Sequence, residues 1–155
     1  IIVNKTDLMD DREKDESKTI RLLRSRFEFL PWAPAIFTSA LKKANVEKIL
    51  EIANQIQLER FKHIDSDILK GFLKETDYKN EPGRVSNMLA KFYGLEQVGV
   101  NPPTFAFRMN EPRAIHFSYR RYLENEIRKR WPFTGTSIRL VFKKNQRLAK
   151  DAKRS

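Results

Sequence analysis

The stretch His116-Phe117-Ser118-Tyr119-Arg120-Arg121-Tyr122-Leu123-Glu124-Asn125-Glu126-Ile127-Arg128-Lys129-Arg130 decides how the second part of the chain folds. Wound as a helix at about 100° per residue, it places Tyr119, Tyr122, Leu123 and Ile127 on one face, with Ile115 just before it. Arg121, Glu124 and Arg128 turn to the other. One side packs, and the other meets water or a partner. The flanking segments supply the packing surface. From Thr104 to Asn110, Phe105, Phe107 and Met109 alternate with Thr104, Ala106 and Arg108. Between Thr136 and Lys143, Ile138, Leu140 and Phe142 alternate with Ser137, Arg139 and Lys143. A period of two marks half-buried strands, each with an apolar face for helices and an outer face carrying basic residues. Asn110 and Pro112 suit the start of the central helix and Pro132 its end. Upstream, Asp65 or Ser66 caps a short helix bearing Ile68, Leu69, Phe72 and Leu73, and Asn80-Glu81-Pro82-Gly83 reads as a turn. The predicted layout is an α+β sandwich, with helices on one side of a three-stranded sheet.

The chain has 155 residues, 40% of them apolar, enough for one ordinary domain or two small ones. No apolar run approaches the roughly 20 residues that cross a bilayer, so no membrane partner is expected. Cysteine is absent, which excludes disulfides and thiolate metal sites. The two histidines stand far apart in sequence, and no metal site is expected. Charge is uneven. Residues 1–63 carry 12 Lys/Arg against 10 Asp/Glu, whereas residues 64–155 carry 19 against 10. An excess of that size, carried largely by arginines, points to a polyanion, and nucleic acid is the expected one.

The chain opens Ile1-Ile2-Val3, read as the end of a buried parallel strand, followed by the polar tetrad Asn4-Lys5-Thr6-Asp7. A helix is predicted from about Asp15 to Leu30, ended by Pro31 and Pro34. Ala35 to Ser39 is a second strand. Val46, Ile49, Leu50, Ala53 and Ile56 mark a second amphipathic helix that fades near Arg60 to His63. This β-α-β-α order is the unit of an α/β fold with a parallel sheet. Two strands build too little core, so residues 1–63 read as the C-terminal half of a larger domain.

The tetrad brings chemistry. Guanine presents a ring N–H and an exocyclic amine side by side, and one carboxylate, Asp7, accepts both hydrogen bonds. The Asn4 amide bonds the purine's other edge or braces the loop, and the aliphatic stem of Lys5 lies against the base plane. The tetrad stands at a strand's carboxyl end, where α/β sheets place ligands. Ser39-Ala40-Leu41 ends the next strand, where a backbone N–H can reach the guanine oxygen. The plain alternative is a polar turn leaving a strand.

These are the NKxD and SAL elements of GTPases. With them, the stretches at 29–41 (FLPWAPAIFTSAL), 98–110 (VGVNPPTFAFRMN), 116–128 (HFSYRRYLENEIR) and 135–142 (GTSIRLVF) resemble the EngA, or Der, family. Its members are ribosome-assembly GTPases with two tandem GTPase domains and a C-terminal KH-like domain. The resemblance covers nearly the whole chain. It implies that residues 1–63 end the second GTPase domain, that 64–143 form the KH-like domain, and that 144–155 are a basic tail. It further implies GTP or GDP with magnesium in the intact protein. The implied partners are rRNA, the large ribosomal subunit or its precursor, and the upstream GTPase domains, with nucleotide-dependent switching. The implied location is the bacterial cytoplasm, the alternative being a mitochondrion or plastid. The chain departs from the family in three places. The Gly-rich loop GxxxxGKS/T, the switch threonine and the DxxG motif do not occur in it, so hydrolysis is not expected of this chain alone, and no catalytic residue is assigned. Lys42-Lys43-Ala44-Asn45-Val46 replaces a Gly-containing segment. The stretch from Arg84 to Gln97 fits the family's strand poorly, so a strand is expected there without a fixed register.

KH domains commonly clamp RNA with a GxxG loop, which this sequence lacks. A basic surface is the alternative. The candidates are Arg121 and Arg128 on the helix, Arg108, Arg139 and Lys143 on strands, and Lys144, Arg147, Lys150, Lys153 and Arg154 in the tail, expected to be disordered until it meets rRNA. Arg121 and Arg128 have a competing role as ion-pair partners of Glu124. Tyr119 and Tyr122 are expected in the core rather than stacked on bases. A second class of reading makes the chain an RNA-binding or structural adaptor with a degenerate GTPase remnant.

Overall fold

The computed structural model describes residues 1–9, 16–77, 84–85 and 88–145. Among the described residues two compact units emerge, one within Ile1–Arg60 and Phe133–Thr136, the other within Phe61–Pro132 and the described residues from Ser137.

In the first unit, β1 (Ile2–Val3) pairs in parallel with β2 (Ile36–Phe37), Ile2 facing Ile36 and Val3 facing Phe37. Helix α1 (Glu16–Arg26) connects them and α2 (Lys48–Arg60) follows, giving the predicted β-α-β-α order. The predicted first residue of α1, Asp15, lies outside the described residues. At its other end α1 stops four residues short of Leu30. A guanidinium nitrogen of Arg24 donates to the carbonyls of Leu30 and Pro31 at 3.3 and 3.0 Å, holding 27–31 as a turn in front of prolines that cannot extend a helix. Phe37 is buried, but Ile2, expected inside, is 54% exposed because a two-stranded sheet covers only one of its faces. Gly135 returns to this unit. Its N–H donates to the Trp32 carbonyl at 2.9 Å, and its φ of 76° is open to glycine.

In the second unit, α3 (Ser66–Asp77) precedes a short antiparallel pair, β3 (Arg84–Val85) with β4 (Met88–Leu89). A mixed three-stranded sheet follows in the order β5 (Phe92–Val100), β6 (Pro103–Met109), β7 (Arg139–Lys144). β5 and β6 are antiparallel, and β6 and β7 are parallel. Parallel neighbours need a crossover, and α4 (Phe117–Arg130) provides it. The Asn80–Gly83 turn lies outside the described residues.

The core is the meeting of three faces. Leu69, Phe72 and Leu73 come from α3, Phe105, Phe107 and Met109 from β6, and Leu123 and Ile127 from α4, all buried. Burying each such side chain stabilises the fold by about 1.5–3 kcal/mol. Phe107 packs between Phe92 and Phe142, at 5.4 and 5.2 Å between ring centroids. Tyr119 stacks on Phe92 at 6.2 Å, so the tyrosine stripe of α4 faces the core. Ile68, read as apolar lining, is 48% exposed.

Helix α4 starts after His116, whose ring nitrogen accepts the Ser118 N–H as an N-cap. Asn110 and Pro112 do not begin it. Pro112–Ala114 form a separate 3-10 turn capped by Glu111. The Asn110 carboxamide instead accepts the N–H groups of Lys91 and Glu111 at 2.8 Å each and donates to the Leu89 carbonyl at 2.9 Å. β7 begins at Arg139, so Ser137 and Ile138 precede it. It runs on to Lys144, opposite Met109, so Lys144 is a strand residue and not the start of a tail.

Candidate functional site

Parallel pairing of β1 and β2 sets the tetrad beside the Ser39 segment. The Thr38 N–H donates to the Val3 carbonyl at 2.8 Å, and the Thr6 N–H to the Thr38 carbonyl at 3.1 Å. The two loops therefore leave the sheet side by side. Lys5 adopts a left-handed backbone (φ 64°), and Thr6–Leu8 form one 3-10 turn that brings Asp7 back over the strand ends.

Side chains then lock the loops together. The buried Ser39 hydroxyl donates to Asp7 Oδ1 and accepts the Lys42 N–H at 3.2 Å. Asn4 Oδ1 accepts from the Thr38 hydroxyl at 3.3 Å and from the Ala40 N–H at 3.2 Å. The Ser39 hydroxyl holds the Asp7 carboxyl below its ordinary value, and Lys42 and Lys5 add to this electrostatically. Asp7 is thus an oriented anion with a second oxygen and further lone pairs available to paired N–H donors. Ala40, Leu41 and Lys5 are exposed around it.

Three contributors were not read from the sequence. Thr6 reinforces the loop through its hydroxyl, 3.0 Å from the Thr38 carbonyl. Thr38 braces Asn4. Asn45, left-handed at φ 57°, donates from its amide to the Phe37 carbonyl at 3.0 Å. Lys43, in the segment where the family has glycine, is also left-handed (φ 55°), and Ser39 and Ala44 exchange backbone hydrogen bonds that close the loop. The signal for Asn45 was its residue type, since Asn tolerates this conformation best after Gly. An apolar depression of about 590 Å³ beside Ala40 is lined by Lys43, Val46, Glu47, Ile49 and Leu50. It contains neither Asn4 nor Asp7.

In the second unit the predicted cations divide by element. On α4, Arg128 donates to Glu124 at 3.0 Å and to the Pro132 carbonyl at 3.1 Å, and burial pushes its pKa down. Lys129 pairs with Glu126, and Arg130 reaches Glu75 at 2.7 Å. Arg120 lies over the Phe142 ring at 4.9 Å, and Arg121 over Phe117 at 6.0 Å. On the sheet, Arg108, Arg139 and Lys143 are exposed, and among the described residues none makes an ion pair. Lys144 is exposed at the strand end. Arg147, Lys150, Lys153 and Arg154 lie outside the described residues.

The family described as the KH-domain-like C-terminal part of EngA bacterial GTPase enzymes matches residues 63–143, the stretch that holds β5, β6, α4 and all of β7 but its last residue. The chain belongs to the EngA family. It is similar to the GTPase Der of Thermomicrobium roseum, with 40% identity over 96% of this chain and 33% of that protein. The GTPase Der of Clostridium novyi is 37% identical over 94% of this chain and 33% of its own length. The chain therefore spans about a third of these curated relatives. Both of them come from bacteria, and among the described residues no helix is long and apolar enough to cross a membrane.

Proposed function

We propose that this chain is the C-terminal segment of a guanine-nucleotide-binding protein of large ribosomal subunit assembly. Residues 1–63 read guanine and the KH-like region from 64 binds rRNA. The observation that carries the first half is the Ser39–Asp7 hydrogen bond, which joins two motifs 32 residues apart into one loop pair. Asp7 accepts the guanine ring N–H and exocyclic amine. The Ala40 N–H turns from Asn4 to the guanine oxygen, and the exposed stem of Lys5 covers one face of the base.

The phosphates and their magnesium need a Gly-rich loop and switch residues that do not occur among these 155 residues. These residues thus supply base recognition rather than hydrolysis. In the intact cytoplasmic protein, the nucleotide held here switches engagement with the ribosome or its precursor. Nucleotide competition on the intact protein tests the base reading. The expected order is GTP, then the inosine analogue lacking the exocyclic amine, then ATP. Equal binding of all three would contradict the role given to Asp7.

RNA binding rests on the excess of positive charge beyond residue 63 and on the KH-like fold. It predicts affinity for rRNA that falls steeply with salt, since each neutralised phosphate releases counterions.

A further inference from the structure

The cations of the second unit are not equivalent. Those in the last turn of α4 are engaged with carboxylates: Arg128 with Glu124, Lys129 with Glu126, Arg130 with Glu75. The open face of the sheet is different. Register puts Gly94, Arg108 and Lys143 side by side across β5, β6 and β7, with Thr104 beside Arg139 four pairs away on the same face. Like charges directly opposite one another on a sheet are destabilising. Arg108 and Lys143 nevertheless stand in that relation, and no carboxylate within ion-pair distance relieves them among the described residues. Glu96 shares the face, opposite Ala106, and makes no ion pair with either. An external anion between the two cations removes the repulsion.

Gly94 makes room for this arrangement. A Cβ at that position would lie 2.9 Å from Arg108 Nη2 and 3.1 Å from Nε. The guanidinium therefore lies across the bare backbone of β5. Arg139 and Lys143 are four residues apart on β7, about 13 Å at ordinary strand rise. The three cations thus form a flat basic strip. Between them stand the half-exposed Thr104 and Val141 and the fully buried Ala106, and the exposed ring of Tyr93, at the register shift beside Gly94, is a single ring rather than a row of them. A base-stacking platform needs aromatic rings. A membrane-binding face needs bulky apolar residues.

We propose that this open sheet face, through Arg108, Arg139 and Lys143 with Gly94 as the positioning residue, is where the chain tracks an RNA phosphodiester backbone, independently of base sequence. The paired cations of α4 are not part of that contact. This rests on the reading that the unit binds RNA, and it assigns the surface.

The test is the salt dependence of binding by the full 155-residue chain to a labelled 20-nucleotide single-stranded RNA and a 20-base-pair RNA duplex. Removing a phosphate contact lowers the slope of log K against log salt by about 0.7 for a single strand and 0.9 for a duplex. R108A, R139A and K143A are each expected to flatten it by that amount, and the triple variant by about 2–3. R130A, a matched loss of one charge on α4, leaves the slope unchanged. G94A keeps every charge but displaces the guanidinium, whose flexible end can move without unfolding the sheet. It weakens binding while the melting temperature holds. A steep wild-type slope that the triple variant retains would overturn the sheet-face assignment and leave RNA binding standing. Equal flattening in R130A would reduce the effect to net charge and likewise overturn it. A flat wild-type slope would remove RNA binding itself.

Discussion

The hydroxyl of Ser39 donates to the carboxylate of Asp7 across two parallel strand ends, and this one bond orients the anion that we propose reads the base. It also sets the anion's titration. Asp7 sits below the ordinary carboxylate value of 3.8 chiefly because of that hydroxyl. A depressed acid contributes stability above its ordinary value and loses it as pH falls through the lower folded value. Ser39→Ala should move the Asp7 midpoint upward, read by carbon NMR of the carboxyl, and shift the onset of acid unfolding to higher pH. An unmoved Asp7 titration would mean that the lysines, not Ser39, hold the charge.

A glycine tests the loop at 133–136. At Gly135 (φ 76°) a Cβ would come within 2.2 Å of Ile56 Cγ1. Gly135→Ala should cost about 1–3 kcal/mol in denaturant unfolding. Part of the loss should return in the double variant with Ile56→Ala, because the clash is then relieved. Strict additivity would exclude the clash as the cause.

Helix α4 is a core element on one side only. Leu123→Ala, at a fully buried site, should cost about 2–5 kcal/mol. Phe117→Ser, at a site 68% exposed, should stay within about 0.5 kcal/mol of wild type. Thermal melts of the two variants distinguish them, and similar losses would contradict the assigned face.

The Arg128–Glu124 pair is one turn apart and partly buried. A double-mutant cycle on stability should give a coupling of about 0.3–0.5 kcal/mol, rising toward 1 where burial reduces screening. RNA affinity of Arg128→Ala should match wild type once folding is corrected for. A zero coupling together with weakened RNA binding would move Arg128 into the contact surface.

Much of this architecture is legible because periodicity is strong where one face packs. The body and end of α4 are readable, since Leu123 and Ile127 recur at helical spacing and Pro132 follows, but its start is not, because the cap is the His116 ring rather than Asn110. β5 was not, and the reason is physical. Its pairing skips a residue at Tyr93 and again at Val98, so the alternation that marks a strand is broken twice. The end of α1 is hidden in the sequence because Arg24, and not the apolar pattern, holds the turn at Leu30 and Pro31. Asn110 looks like a helix start in sequence, but its amide bonds backbone at Leu89 and Lys91, some 20 residues back, and no local rule predicts that. The tetrad Asn4-Lys5-Thr6-Asp7 and Ser39-Ala40-Leu41 could be found as motifs. Thr38 and Asn45 could not, because their roles exist only once the two strands pair. The division of cations between α4 and the sheet was equally hidden, since Arg130 finds Glu75 across 55 residues.

The central claim is that Asp7 selects guanine. Asp7→Asn in the intact protein replaces an acceptor pair with one donor and one acceptor, which suits xanthine, whose second ring carbonyl replaces the amine. Competition between GTP and xanthosine triphosphate measures this directly. The expected result is weakened GTP binding and a preference turned toward xanthosine triphosphate. An unchanged preference for GTP would contradict the account.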